Sequence, residues 1–240
     1  MVRTYLYPFF LLLTIFLFSN CSREAIEGTG PVIIETRLGL RGFDGLILES
    51  NCEVRLIQAT QFRVEVEGYE SLIPFVETFV SQGILVVRLD PNFRYRYNNI
   101  IVYVYAPDVW DITNTGSGKI CTNNRHDFGN ELRVANSGSG VVILRGDADL
   151  AKVTISGSGY VALDGNGSKI VARLTGSGYL AAFDFEVFDA NVQLTGSGYA
   201  ELDVSRLLEA SVSGSGNVIY EGSPRVVASV TGSGQVRRRR

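Results

Sequence analysis

The sequence predicts an all-β protein whose main body is a parallel β-helix-like solenoid, with short strands wound around a narrow core and stacked coil upon coil. Three observations carry this. Gly-Ser-Gly recurs, beginning at Gly116, Gly138, Gly157, Gly176, Gly196, Gly214 and Gly232, at intervals of 22, 19, 19, 20, 18 and 18 residues. So even a spacing marks a repeat architecture. The flanks repeat as well: an apolar residue and then Ser or Thr precede each of the last five copies, from Ile155-Ser156 to Val230-Thr231. Finally, the segments between copies are apolar and β-branched, so the 26 glycines do not make a flexible linker.

The chain opens on a targeting segment. Arg3 supplies a positive start, and Tyr5 to Phe18 is a nearly unbroken apolar run of 14 residues, shorter than a membrane span. It closes on Phe18-Ser19-Asn20-Cys21, which resembles the lipobox of bacterial lipoproteins, with Phe18 for the usual Leu and Asn20 for Gly or Ala. That resemblance makes residues 1–20 a signal peptide and Cys21 the lipid-modified first residue of the mature chain. Ser22 in place of Asp fits outer-membrane retention, by the same resemblance to lipoprotein sorting.

Without residues 1–20 the chain keeps 21 of its 22 basic residues against 25 acidic ones, a net charge of −4. Such a balance gives no electrostatic reason to expect nucleic acid. Residues 21–31 are polar and Gly-rich and read as a tether.

Residues 32–110 form a strand-rich N-terminal cap, or the first irregular coils. Val32–Arg37, 43–49, Glu53–Gln58, 62–67, Ile84–Leu89 and 100–106 alternate apolar and polar residues, as half-buried strands do. Between them, Leu72, Phe75, Val76 and Phe79 have helical spacing, limited by Pro74 to a turn or short helix that plugs the core. The segment 90–99 holds Arg94, Tyr95, Arg96 and Tyr97 and reads as a solvated loop, with an anion site as the alternative.

Residues 111–240 are the repeats. Alternation turns Leu132, Val134, Val153, Ile155, Ile170, Ala172, Leu174, Ala190, Val192, Leu194, Ala210, Val212, Ala228 and Val230 inward. After the corners, Val161, Leu163, Leu180, Ala182, Ala200 and Leu202 also turn inward. Each repeat is then strand, Gly-Ser-Gly corner, strand and a variable turn such as Asp164-Gly165-Asn166-Gly167. A repeat of about 19 residues at about 3.3 Å each wraps once around a narrow core, and stacked coils pair about 4.8 Å apart. A meander of antiparallel hairpins is the alternative. The coil is preferred because all corners share one chemistry, whereas hairpins would alternate two turn types. Stacked corners favour glycine, and their serines would form a hydroxyl ladder.

Several motifs together resemble one family: Arg41-Gly42-Phe43-Asp44-Gly45-Leu46, Glu53-Val54-Arg55-Leu56, Glu70-Ser71-Leu72-Ile73-Pro74, Gly83-Ile84-Leu85-Val86, the serial Gly-Ser-Gly copies and the closing Gly232-Ser233-Gly234-Gln235-Val236-Arg237. Over residues 32–240 the chain resembles the head-GIN-domain family of auto-transporter adhesins, envelope proteins of Gram-negative bacteria. The resemblance implies a right-handed solenoid and a lipoprotein or secreted setting. It brings no catalytic motif.

The residues themselves offer little chemistry. His126 is the only histidine and reads as a surface residue of a polar turn, so neither a histidine-rich metal site nor a Ser-His-Asp triad can be assembled. Asp147, Asp149, Asp164, Asp184, Asp189, Glu201 and Asp203 are scattered among turns without a paired-carboxylate motif. No acid follows Gly-Ser-Gly, which argues against calcium, and no cofactor is expected. Cys52 and Cys121 leave two readings open, a disulfide in an oxidising envelope or two small apolar strand residues.

Tyr160, Tyr179 and Tyr199 follow three consecutive corners. Stacked in register, they make an aromatic column, read either as a glycan platform or as rings that shield the sheet and support one another. The four arginines Arg237 to Arg240 read as a frayed, charged end or a contact for anionic lipid. The expected function is a non-enzymatic outer-membrane lipoprotein, an adhesin or binding module for glycan or envelope polymer. Its alternatives are a structural scaffold with a protein partner or homo-oligomer, and a carbohydrate-active enzyme.

Overall fold

The computed structural model describes residues 25–96 and 99–240. The signal-peptide and Cys21 expectations lie outside the described residues, as does Tyr97. Within them the chain is a β-solenoid of stacked coils without α-helices.

Two long faces and one narrow face enclose the core. On the first face, Val76–Ser81, Ile84–Leu89, Gly45–Leu48, Asp111–Asn114, Glu131–Asn136 and Leu150–Gly157 lie side by side, followed by 169–176, 189–196, 207–214 and Arg225–Gly232. The second face runs from Val32–Arg37 through Arg63–Tyr69, Ile101–Ala106, Glu53–Gln58, Lys119–Thr122 and Val141–Asp147. It continues through 160–164, 179–182, 199–203 and Asn217–Glu221 to Gln235–Arg238. The third is short and joins His126–Asp127 to 146–147 and 165–167 to 185–187.

From Ile84 onward neighbouring coils are parallel and in register, Tyr160 against Tyr179 and Gly176 against Gly196. The hairpin meander is therefore excluded, because hairpins would make these neighbours antiparallel. Among the described residues antiparallel pairs occur only at the N-terminal end, where Val32–Arg37, Arg63–Tyr69 and Val76–Ser81 close the stack.

Register also exposes a coil that carries no Gly-Ser-Gly. Leu48 lies against Asn114 and Glu53 against Lys119, so Ser50-Asn51-Cys52 stands where the next coil has Gly116-Ser117-Gly118. This coil is inserted between Ile84–Leu89 with Ile101–Ala106 above and the first glycine corner below.

The expected inward residues are buried, with two exceptions. Ala228 and Val230 lie in register beneath Ala210 and Val212, yet they are exposed because no described strand covers them. The expected helical turn is one 3-10 turn, Ile73–Phe75, after which Val76–Ser81 is a strand. Pro74 starts the turn but cannot sustain a helix, and the β-branched Val76, Thr78 and Val80 favour pairing with Ile84–Leu89. Leu72 and Ile73 are buried and do close the core. Residues 164–167 are not a free turn: the strand Tyr160–Gly176 continues through them, with an irregularity between Ala162 and Gly165. Nor is all of 21–31 a tether, since Ala25–Glu27 pairs with Arg94–Arg96, a strand inside the expected loop.

The corners come in two kinds. In the last five copies the first glycine has a positive φ of 108 to 128° and ends a strand, whereas Gly116 and Gly138 have no positive φ. The two kinds differ in the inward residue two places earlier. In these two earlier coils it is Asn114 or Asn136, buried and bonded to its own corner; in the later ones it is Ile155, Leu174, Leu194, Val212 or Val230. One rung of the expected serine ladder is formed, Ser177 Oγ to Ser197 Oγ at 3.3 Å.

Candidate functional site

The tyrosine column is built by the corners. The backbone N–H of Tyr160, Tyr179 and Tyr199 donates at 3.0 Å to Gly140, Gly159 and Gly178 in the coil above. Alternation then turns these side chains outward, since Val161, Leu180 and Ala200 occupy the core. Their ring centroids lie 5.5 Å apart for Tyr160 and Tyr179 and 6.0 Å for Tyr179 and Tyr199, each pair inclined by 22°.

The rings thus stack on one another. The central Tyr179 has a ring on either side. Tyr160 and Tyr199 remain 36 % and 41 % exposed. Burial, with a hydrogen bond to Glu201, pushes the Tyr179 phenol up to about 12. It therefore stays a neutral hydroxyl over any physiological pH.

Beside the column runs a trough of about 200 Å³. Ala162 and Ala181 form its floor, Tyr160 and Phe183 its aromatic margins, and Asp184 and Glu201 its carboxylates. The floor is shallow because alanines follow two of the tyrosines by two residues, on the same outward side. Arg145 pairs with Asp164 at 3.5 Å on the rim, and the Arg239 guanidinium lies 4.6 Å from the Phe183 ring. The sequence reading found the tyrosines and missed the trough. Its signal is the pair Tyr-x-Ala at 160–162 and 179–181.

The other singled-out residues fall elsewhere. His126 is buried, not surface: it is 4 % exposed and stacked on Phe128 at 5.3 Å. Its Nδ1 lies 3.0 Å from the Asn124 carbonyl, Nε2 has no partner, and burial holds its pKa below the ordinary value. The strand pairing of Asp127 and the packing against Phe128 carry it inside, which a polar sequence neighbourhood hides.

Cys52 and Cys121 are both free. Cys52 points into the core, where burial lifts its thiol to about 11, whereas Cys121 lies in register with Arg55 on the outer side. The arginine end is not frayed: Gln235–Arg238 is a strand, Arg239 pairs with Glu221, and its guanidinium rests on Phe183. Arg96 pairs with Glu27 at 3.7 Å.

The scattered carboxylates are in part tied up by arginines and an asparagine amide. Arg125 and Asn166 hold Asp147, and Arg206 holds Asp189. Among the described residues no group of three or more His, Cys, Asp or Glu converges as a metal site would require.

The sequence profile described as "Putative auto-transporter adhesin, head GIN domain" matches residues 42–224. That span covers most of the chain, and with it the cap from Gly42 onward, every corner but the last and the whole tyrosine column. The chain belongs to the head-GIN-domain family.

Solved structures agree on the fold. A "putative adhesin" from Bacteroides fragilis NCTC 9343 superposes with a TM-score of 0.82 at 19 % identity, over 89 % of this chain and 99 % of that one. A "putative adhesin" from Parabacteroides merdae ATCC 43184 gives 0.73 at 22 % identity, over 90 % and 100 %. A "putative lipid binding protein" from Parabacteroides distasonis ATCC 8503 gives 0.76 at 20 %, over 90 % and 100 %. Among curated proteins the chain has no match. The family and the first two of these neighbours carry the adhesin name, which associates the head-GIN family with the cell surface or envelope.

Proposed function

We propose that this head-GIN chain is a non-enzymatic binding module of the cell envelope, an outer-membrane lipoprotein held by a lipid on Cys21 that engages a glycan or surface polymer. The carrying observation is the column Tyr160, Tyr179 and Tyr199, stacked in register beside an alanine-floored trough. A repeating ligand suits a repeating face. Because the rings stack mainly on one another, the polymer's contacts are phenol hydroxyls, ring edges and the trough, with Asp184 and Glu201 as hydrogen-bond acceptors. The adhesin names of the family and of two structural neighbours support a binding rather than a catalytic role. Screening residues 22–240 on a glycan array tests the reading. Binding to a defined set of glycans supports it, and a blank array overturns the glycan ligand.

A second reading, a scaffold with a protein partner, is favoured by one observation. Val226, Val227 and Val230 on Arg225–Gly232 are exposed, and that strand pairs on one side only among the described residues. Such an edge can accept a strand from another chain.

A further inference from the structure

Four large apolar side chains are exposed at the N-terminal end of the solenoid: Val32 at 58 %, Ile34 at 61 %, Leu38 at 88 % and Phe79 at 37 %. Val32–Arg37 and Val76–Ser81 are the outermost strands of the two long faces there, each paired on one side only among the described residues. Leu38 and Phe79, with Leu40, border a hollow of about 390 Å³. Its position is fixed by Arg37, whose guanidinium donates to the carbonyls of Ile73 at 2.8 Å and Val76 at 3.2 Å. Leu38 and Phe79 share this hollow, whereas Val32 and Ile34 point to the outer side of the second face. A hollow edged by exposed apolar side chains marks a surface that something covers.

The course of the chain says what covers it. Ala25–Glu27 is strapped to this end by Arg94–Arg96, and the Thr29 N–H donates to Ser71 Oγ at 2.8 Å. Cys21 precedes Ala25 by four residues, which span at most about 14 Å even when fully extended. A lipid on Cys21 therefore keeps this end, and not the other, close to the bilayer.

Charge narrows the mode of contact. Three arginines at this end are paired with carboxylates, Arg37 with Glu35, Arg88 with Glu77 and Arg96 with Glu27. Attraction to anionic headgroups is therefore weak, and burial of apolar area is left as the driving force.

We propose that the N-terminal end of the solenoid seats on the phospholipid surface, with Leu38 and Phe79 entering the headgroup region. The solenoid then stands away from the membrane. Six strand spacings separate Ile34 from Tyr160 along the second face, through Glu67, Ile101, Glu53, Lys119 and Val141. At about 4.8 Å per step the tyrosine column starts about 29 Å out. The direction of this seating rests on the lipid anchor, but its test does not use the lipid.

The test is co-sedimentation of unmodified residues 22–240 with phosphatidylethanolamine–phosphatidylglycerol vesicles. Removing residues 1–21 touches none of the core, which runs from Phe43 to Val218. The native chain should bind, with little change between about 0.1 and about 0.5 M salt. Leu38→Asp/Phe79→Asp should lower the partition coefficient at least about tenfold, while Phe188→Asp, an exposed side chain on the strand Tyr179–Gly196 far from this end, should leave it unchanged. Both variants alter exposed side chains, and a native melting curve confirms that each is folded.

Absence of native binding, equal loss in both variants, or loss with salt would overturn the seating. So would a native dimer that the Leu38/Phe79 variant dissolves without any vesicle binding, since a second copy would then cover the face. Metabolic lipid labelling of the native precursor and of Cys21→Ser tests the anchor separately.

Discussion

Asn136 lies in register directly beneath Asn114 inside the solenoid, and the two side chains make the same bond in successive coils. Asn114 Nδ2 donates to the Gly118 carbonyl at 2.9 Å and Asn136 Nδ2 to Gly140 at 2.8 Å, each across its own corner. Asn114 Oδ1 also accepts from the Gly116 N–H at 3.1 Å. Asn114 is fully buried, and Asn114→Ala takes the side-chain partner from both corner groups, so it should destabilise the protein by about 1–3 kcal/mol. The urea midpoint measures this, and an unchanged midpoint would mean that the corner holds without its asparagine.

Close stacking, as distinct from backbone freedom, is measured by two glycines. Gly196 and Gly39 both have positive φ, 114° and 80°. A Cβ on Gly39 meets nothing within 4 Å, whereas one on Gly196 would lie 2.5 Å from the Gly176 carbonyl oxygen in the coil above. Gly39→Ala should cost about 1–2 kcal/mol for its backbone alone. Gly196→Ala should cost that and roughly 2 kcal/mol or more besides, because backbone must move. Equal losses by chemical denaturation would contradict the tight stacking.

His126 makes stability depend on pH. Its folded pKa lies below the unfolded value of about 6.5, because burial disfavours the cation. Below that value the unfolded chain binds a proton that the folded chain resists, so stability is lost as pH falls through about 6.5 towards the folded pKa. Urea midpoints at about pH 7.5 and about pH 5.5 should differ in the native protein, and by less in His126→Gln. An identical pH response in both would assign the loss to other groups.

The solenoid was legible because its constraint is written in one residue type. A corner stacked on another corner leaves no room for Cβ, so glycine recurs with the coil period. Where a coil meets the constraint otherwise, the signal vanishes, and Ser50-Asn51-Cys52 occupies a corner without a glycine. The strand Val76–Ser81 was hidden because Leu72, Phe75, Val76 and Phe79 also satisfy helical spacing. Only the pairing partner Ile84–Leu89, a tertiary fact, decides between them.

Asn114 and Asn136 were readable as polar residues at inward positions but stand outside the pattern of the last five corners. His126 was misread for the converse reason, since a polar sequence neighbourhood does not fix burial. The tyrosine column was legible from spacing alone. The direction of its rings and the trough beside it depend on side-chain packing, which no period encodes.

The column as a binding face is tested most directly by titrating the strongest glycan-array ligand against the native chain and Tyr160→Ala/Tyr179→Ala/Tyr199→Ala, with folding of the variant confirmed by circular dichroism. The account predicts at least about tenfold weaker binding by the folded variant, from the loss of three aromatic contacts. An unchanged Kd would contradict it and reduce the three stacked rings to a brace for the sheet.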